Sequence, residues 1–143
     1  MTDRKTIFLV EDSADDEKLV MMSLKKSNIT NEVVVARDGQ EALDILFGKG
    51  KTKELTPTVI LLDLHLPKID GLEVLKRIRG NQRTSRFPVV VLTSSDEESD
   101  RIRSYELGAN SYVCKPVDFG AFAGAVRELG LYWLLLNRPA PGD

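Results

Sequence analysis

The stretch that most constrains this chain is Thr58-Val59-Ile60-Leu61-Leu62, followed at once by Asp63 and then by Leu64-His65-Leu66-Pro67. Apolar residues that run on without alternating fit a strand covered on both faces, as in a parallel sheet between two helix layers. Asp63 then stands at the end of a core strand, where burying a carboxylate costs several kcal/mol unless it is paired or meets a cation. Pro67 disfavours helix at Leu66, and Asp70-Gly71 opens the next element, so the acid is held in a turn. The carboxyl ends of the strands are where ligands sit in an open parallel sheet. Taken alone, Asp63 fits a turn cap equally well, because Asp is common in turns.

The rest of the chain repeats the pattern. Thr6-Ile7-Phe8-Leu9-Val10 is a second continuous apolar run, ending in the adjacent acids Glu11 and Asp12. Ser13 reads as the N-cap of a helix reaching about Lys26, with Asp15, Asp16 and Glu17 in a first turn that favours negative charge. Asp15 and Asp16 are therefore read as helix-start residues. Glu11 and Asp12 precede the cap and sit, like Asp63, at a strand's carboxyl end. Glu32–Ala36 predicts the second strand, and Gln40–Phe47 a helix. The Gly- and Lys-rich loop 48–56 lacks the spacing of a phosphate-binding loop and follows no strand, so it reads as solvated. Gly71–Arg79 is helical, Pro88–Leu92 is a strand with Thr93 at its end, and a helix spans about Glu97–Leu107. Ser111–Lys115 is a fifth strand, and Asp118 caps a last helix from Phe119 to about Leu136. The tail Pro139–Asp143 reads as frayed. Strands alternating with helices predict an α/β domain with a parallel sheet.

Composition narrows the function. The chain of 143 residues suits one domain, and its net charge of −2 offers no global basic field for nucleic acid. The lone Cys114 cannot form an internal disulfide. The polar opening Met1–Lys5 is no signal peptide, and no apolar run approaches the ~20 residues of a membrane span. A cytoplasmic protein, with neither nucleic acid nor membrane as partner, is the expectation.

Glu11, Asp12, Asp63, Thr93 and Lys115 all lie at strand ends. In the strand order 2-1-3-4-5 these ends meet beside the switch point between strands one and three. Three carboxylates at one place repel, and a hard divalent cation such as Mg²⁺ resolves the conflict. Lys115 and the Thr93 hydroxyl suit a bound phosphoryl group, one by charge and one by hydrogen bond. The implied chemistry is phosphoryl transfer onto a carboxylate.

Val10-Glu11-Asp12-Ser13, Leu61–Pro67, Asp70-Gly71, Val91-Leu92-Thr93-Ser94, Gly108-Ala109-Asn110 and Lys115-Pro116, in that order, resemble the receiver domain of two-component response regulators. The resemblance covers residues 5–129 and implies a flavodoxin-like, doubly wound five-stranded sheet with five helices. It implies that Asp63 accepts a phosphoryl group from a sensor histidine kinase. Asp12 directly, Glu11 through water, Asp63 and the backbone carbonyl of His65 would hold Mg²⁺. Thr93 and Lys115 would bind the phosphoryl oxygens, Tyr112 would be the switch aromatic, and Lys115-Pro116 matches a bond that is cis in the family. His65 and Ser95, two residues past Asp63 and Thr93, are expected to border the phosphoryl group and tune its hydrolysis.

Residues 130–143 are read as an extension of the last helix plus a short flexible tail, with no output domain. Phe122, Val126, Leu129, Trp133 and Leu136 fall at helical spacing toward the sheet. The run Leu131-Tyr132-Trp133-Leu134-Leu135-Leu136 is apolar all round, more than one face can bury, which predicts an interface. The chain is similar here to small receivers that work with phytochrome kinases and form homodimers. A haloacid-dehalogenase-type phosphatase would need a second acid where His65 stands. A flavodoxin-like cofactor binder would not place Glu11-Asp12 against phosphate. A phosphorylation-independent scaffold would leave the five-residue set without a purpose.

Overall fold

The apolar runs are strands because helices cover both sides of the sheet they form. The structure is a computed structural model and describes residues 5–49, 53–138 and 140–141. Its strands are β1 (Thr6–Val10), β2 (Glu32–Ala36), β3 (Val59–Leu62), β4 (Val89–Thr93) and β5 (Ser111–Cys114). Between and after them run α1 (Ala14–Lys26), α2 (Gly39–Phe47), α3 (Gly71–Arg79), α4 (Glu98–Glu106) and α5 (Phe119–Leu131). All pairings are parallel, in the order β2-β1-β3-β4-β5. The fold is the doubly wound arrangement expected.

Successive strand residues point to opposite faces. Phe8, Val10, Ile60, Leu62, Val89 and Val91 meet Leu43 and Leu46 of α2 and Val74, Leu75 and Ile78 of α3. Ile7, Leu9, Val59, Leu61, Val90 and Leu92 meet Val20 and Leu24 of α1 and Phe122 and Val126 of α5. Two cores therefore share one sheet, and β1, β3 and β4 are apolar at every position but the terminal Thr6 and Thr93. Caps set the helix starts. The side chains of Ser13, Asp38, Asp70 and Asp118 accept from the backbone N–H of Asp16, Glu41, Glu73 and Ala121.

Two glycines are required by close approach. A Cβ on Gly71 would lie 2.3 Å from the carbonyl oxygen of Asp63, and one on Gly39 would lie 1.8 Å from that of Ile69. The start of α3 thus rests on the backbone of Asp63, which accounts for Asp70-Gly71 in the sequence.

The end of α5 departs from the expectation. Tyr132–Leu136 winds as a π-helical turn, closed by a bond from the N–H of Asn137 to the carbonyl of Tyr132. The wider i→i+5 winding advances the buried face. Leu134, expected in an interface, is 1% exposed within the chain's own core, and Trp133, 9% exposed, joins the sheet-side core as its helical spacing suggests and not an interface. Leu136, expected against the sheet, is 69% exposed beside Leu135 at 67% and Tyr132 at 48%. The Lys5 ammonium donates to the carbonyl of Leu134 and ties this turn to the start of β1.

The helical run Phe119–Leu136 is, by length and composition alone, apolar enough to cross a membrane. It carries Arg127 and Glu128 near its middle and docks on the sheet through Phe122, Val126, Trp133 and Leu134. Residues 50–52 of the loop 48–56, and Pro139, Gly142 and Asp143 of the tail, lie outside the described residues. In the described part of this loop, the N–H of Leu55 donates to the carbonyl of Ile45, and Arg83 donates to the carbonyls of Leu46 and Leu55.

Candidate phosphoacceptor and metal site

Strand register builds the site. Val10 pairs with Leu62, so Glu11 and Asp63 leave their strands at the same level. The N–H of Asp63 donates to the carbonyl of Val10 at 3.0 Å, and that of Lys115 to the carbonyl of Thr93 at 2.7 Å. β1, β3, β4 and β5 therefore deliver Glu11, Asp63, Thr93 and Lys115 to one edge. The sheet order puts that edge at the switch point between β1 and β3.

Lys115 is the hub. Its ammonium lies 2.7 Å from Glu11 Oε1, 2.7 Å from Asp16 Oδ2 and 3.0 Å from Asp63 Oδ2. Its side chain is 7% exposed, and those of Glu11 and Asp63 are 2% and 7%. Three N–H donors meet three carboxylate acceptors, so the ammonium is fully used. Burial alone would lower the Lys115 pKa, but its bonds to Asp16 and Glu11 and the charge of Asp63 raise it above the ordinary lysine value. Burial would likewise raise Asp63. The Lys115 charge and hydrogen bond outweigh it, Thr93 and the His65 N–H act in the same direction, and Asp63 is held below the ordinary carboxylate value. At Glu11 burial wins against Lys115 and pushes the pKa up to about 7. An ionised carboxylate at Asp63 is the form a nucleophile needs.

Glu11, Asp12 and Asp63 each bring a carboxylate oxygen within 4.8 Å of the others, with Asp12 exposed and the other two buried. All-oxygen donors with one side open to water fit Mg²⁺ or Mn²⁺, which keep several waters. Three carboxyl groups around one ammonium, with Asp12 beside two of them, also leave an excess of negative charge for such an ion to offset.

The comparisons agree with this geometry. The family described as response regulator receiver domain matches residues 7–127. The chain belongs to the response regulator receiver family. It is 44% identical to the response regulator Rcp1 of Synechocystis over 131 residues, 91% of this chain and 89% of that protein. The crystal structure of the phosphorylated cyanobacterial phytochrome response regulator RcpA superposes with a TM-score of 0.91 at 39% identity, covering 96% of this chain and 99% of that one. The Mn²⁺-bound form of Rcp1 gives 0.90 at 42% identity, with coverage of 96% and 99%. Receivers bind a divalent metal at an acidic pocket, and this receiver has the acidic group for it.

The structure brings together Glu11, Asp12, Asp63, Thr93 and Lys115 as the sequence suggested. Thr93 is fully buried, and its Oγ1 accepts from the N–H of Ser95 at 3.3 Å. Tyr112 is half-buried, and its hydroxyl donates to the carbonyl of Ser95 at 3.0 Å. His65 is exposed and meets Asp63 through its backbone N–H at 3.2 Å. The Ser95 hydroxyl, expected to face the phosphoryl group, donates instead to Asp100 Oδ2 at 2.6 Å. No peptide bond among the described residues is cis. Lys115-Pro116 is thus trans, the form favoured by about 0.5–1 kcal/mol for an X–Pro bond. Asp16 is the residue that sequence reasoning missed. An acid in a first helical turn needs no further reason, and no local signal separates Asp16 from Asp15. The only clue is geometric: three residues past the Ser13 cap, it returns to the strand-end side of α1.

Proposed function

We propose that Asp63 accepts a phosphoryl group from the phosphohistidine of a sensor kinase. The Asp63 carboxylate oxygen bonds to phosphorus as the phosphorus–nitrogen bond breaks. The imidazole leaves with that electron pair and is neutralised by a proton from water. The observation that carries this reading is the ionised Asp63 carboxylate set between the Lys115 ammonium and the acids Glu11 and Asp12. Asp12 and Asp63, with Glu11 through water and the carbonyl of His65, would hold Mg²⁺. Bound there, the ion supplies charge neutralisation for the transferring oxygens. Thr93 and Lys115 receive two phosphoryl oxygens, and Tyr112 follows Thr93 through the shared Ser95 loop. The site also hydrolyses its own acyl phosphate, with exposed His65 as the side chain placed to modulate water. A beryllofluoride adduct seen by ¹⁹F NMR only with Mg²⁺, and lost in Asp63→Asn, is the expected result. Binding that survives Asp63→Asn would overturn the assignment.

The likeness to Rcp1 and RcpA supports a phytochrome-type kinase as phosphodonor and a cytoplasmic setting. Residues 5–129 act as the receiver and 130–143 as its extension. The signal leaves through protein contacts or onward phosphotransfer. The exposed Tyr132, Leu135 and Leu136, with half-buried Leu131, support a homodimer through the end of the last helix. Light scattering should show a dimer that Leu135→Ser with Leu136→Ser dissociates; a monomer at every concentration contradicts it.

A further inference from the structure

Asp16 holds one of the three donors of the Lys115 ammonium and takes no other part in the site. Glu11 belongs to the acidic group that suits a metal, and Asp63 is the residue to be modified. Asp16 lies in the first turn of α1, where the cap is already made by Ser13, whose Oγ accepts from the Asp16 N–H at 3.2 Å. Its carboxylate is thus not needed to close the helix, and the helix fixes where it stands. It is 28% exposed, while the Lys115 side chain it meets at 2.7 Å is 7% exposed. At its other end Lys115 is anchored by the bond from its own N–H to the carbonyl of Thr93.

The three bonds of Lys115 cannot all persist through the reaction. Once Asp63 carries a phosphoryl group, the carboxylate oxygen facing Lys115 has lost its charge, and Glu11 would be shared with a bound metal ion through water. Asp16 alone keeps its full charge and its place. We propose that Asp16 is a positioning residue for phosphoryl transfer: it tethers the Lys115 ammonium at the mouth of the site, leaving a free donor aimed at the incoming phosphoryl oxygen. The tether rests on the reading of Asp63 as phosphoacceptor. A loose lysine would have to be ordered during the reaction, so the benefit falls on the transfer step and not on donor binding.

The test is the rate of acyl-phosphate formation from acetyl phosphate at saturating Mg²⁺, followed by quenched intact mass. Asp16→Ala should lower the saturating rate about tenfold, the worth of one charge-assisted hydrogen bond, and leave the half-saturating donor concentration within about twofold. Asp16→Asn, which keeps the shape and one acceptor, should recover part of the rate. In a Lys115→Met background Asp16→Ala should change nothing further, because the tether has nothing to hold. Equal losses in both backgrounds, or an unchanged rate in the single variant, would overturn the proposal. In the metal-free protein the Lys115 ¹⁵N ammonium resonance should be visible and protected from exchange, and should broaden in Asp16→Ala. A resonance unaffected by the substitution contradicts the tether by itself. If the wild-type protein takes up no phosphoryl group, the Asp63 reading has failed, and this resonance still decides whether Asp16 holds Lys115.

Discussion

The strand-end site and the end of α5 are opposite kinds of construction. At the site, the polar groups come from the first turn of α1 and the ends of β1, β3, β4 and β5, and the strand ends are fixed by backbone bonds and register. At the end of α5, apolar residues crowd one helical turn, and the winding decides which are buried. Polar geometry is over-determined in the first region and depends on one helical parameter in the second. The difference teaches where errors fall: a strand end places a carboxylate without ambiguity, whereas one extra residue per turn exchanges the inside and outside of a helix.

Substitutions can break this contrast. Lys115→Met leaves Glu11, Asp16 and Asp63 facing one another without a cation. In the metal-free protein it should cost about 3 kcal/mol, as removal of one partner from a buried ion pair does. Mg²⁺ should raise the melting temperature of this variant more than that of the wild type. An equal rise in both would mean that the ammonium and the metal answer different charges.

The helix end is sharpened by a matched pair. Leu134→Ala should cost about 3 kcal/mol in denaturant unfolding, because it empties a core position, whereas Leu136→Ala should stay within about 0.5 kcal/mol. The reverse ranking would restore an uninterrupted α-helix through Leu136.

A smaller effect should appear with pH. Burial raises Glu11 to about 7 from an ordinary 4.5. A carboxyl group whose folded value lies above its unfolded one stabilises the fold in its protonated form. Its contribution is full below about 4.5 and is lost as the pH rises through about 7. Asp63 is shifted the other way, so its contribution is present above 3.8 and lost only as the solution becomes more acid. In chelator, wild-type stability should therefore fall between about pH 5 and pH 8, and Glu11→Gln should flatten that slope. Mg²⁺ affinity should rise across the same window, because the ligand must be ionised. A wild-type slope that survives Glu11→Gln places the titration elsewhere.

The same contrast explains what was readable from the chain alone. The sheet was readable because runs such as Phe8-Leu9-Val10 and Val59–Leu62 are apolar at every position, which only a doubly covered strand requires. Glu11, Asp12, Asp63 and Thr93 were readable because they end such runs, and Lys115 because it closes the shorter, half-buried strand Ser111–Cys114 ahead of Pro116. Asp16 was not, since an acid in a first helical turn already has a sufficient reason to be there. The burial of Leu134 was not, because a 3.6-residue period was assumed where the backbone winds more widely. The bonding of Ser95 to Asp100 was hidden for a third reason, as it depends on how a loop returns to α4.

The central claim is that this edge of the sheet is built to carry a phosphoryl group on Asp63. The most direct test is intact mass after incubation with acetyl phosphate and Mg²⁺, with Asp63→Asn in parallel. The account predicts a gain of one phosphoryl group that disappears in the variant and without Mg²⁺. An unchanged mass in the wild-type protein, or a gain that persists in Asp63→Asn, would contradict it.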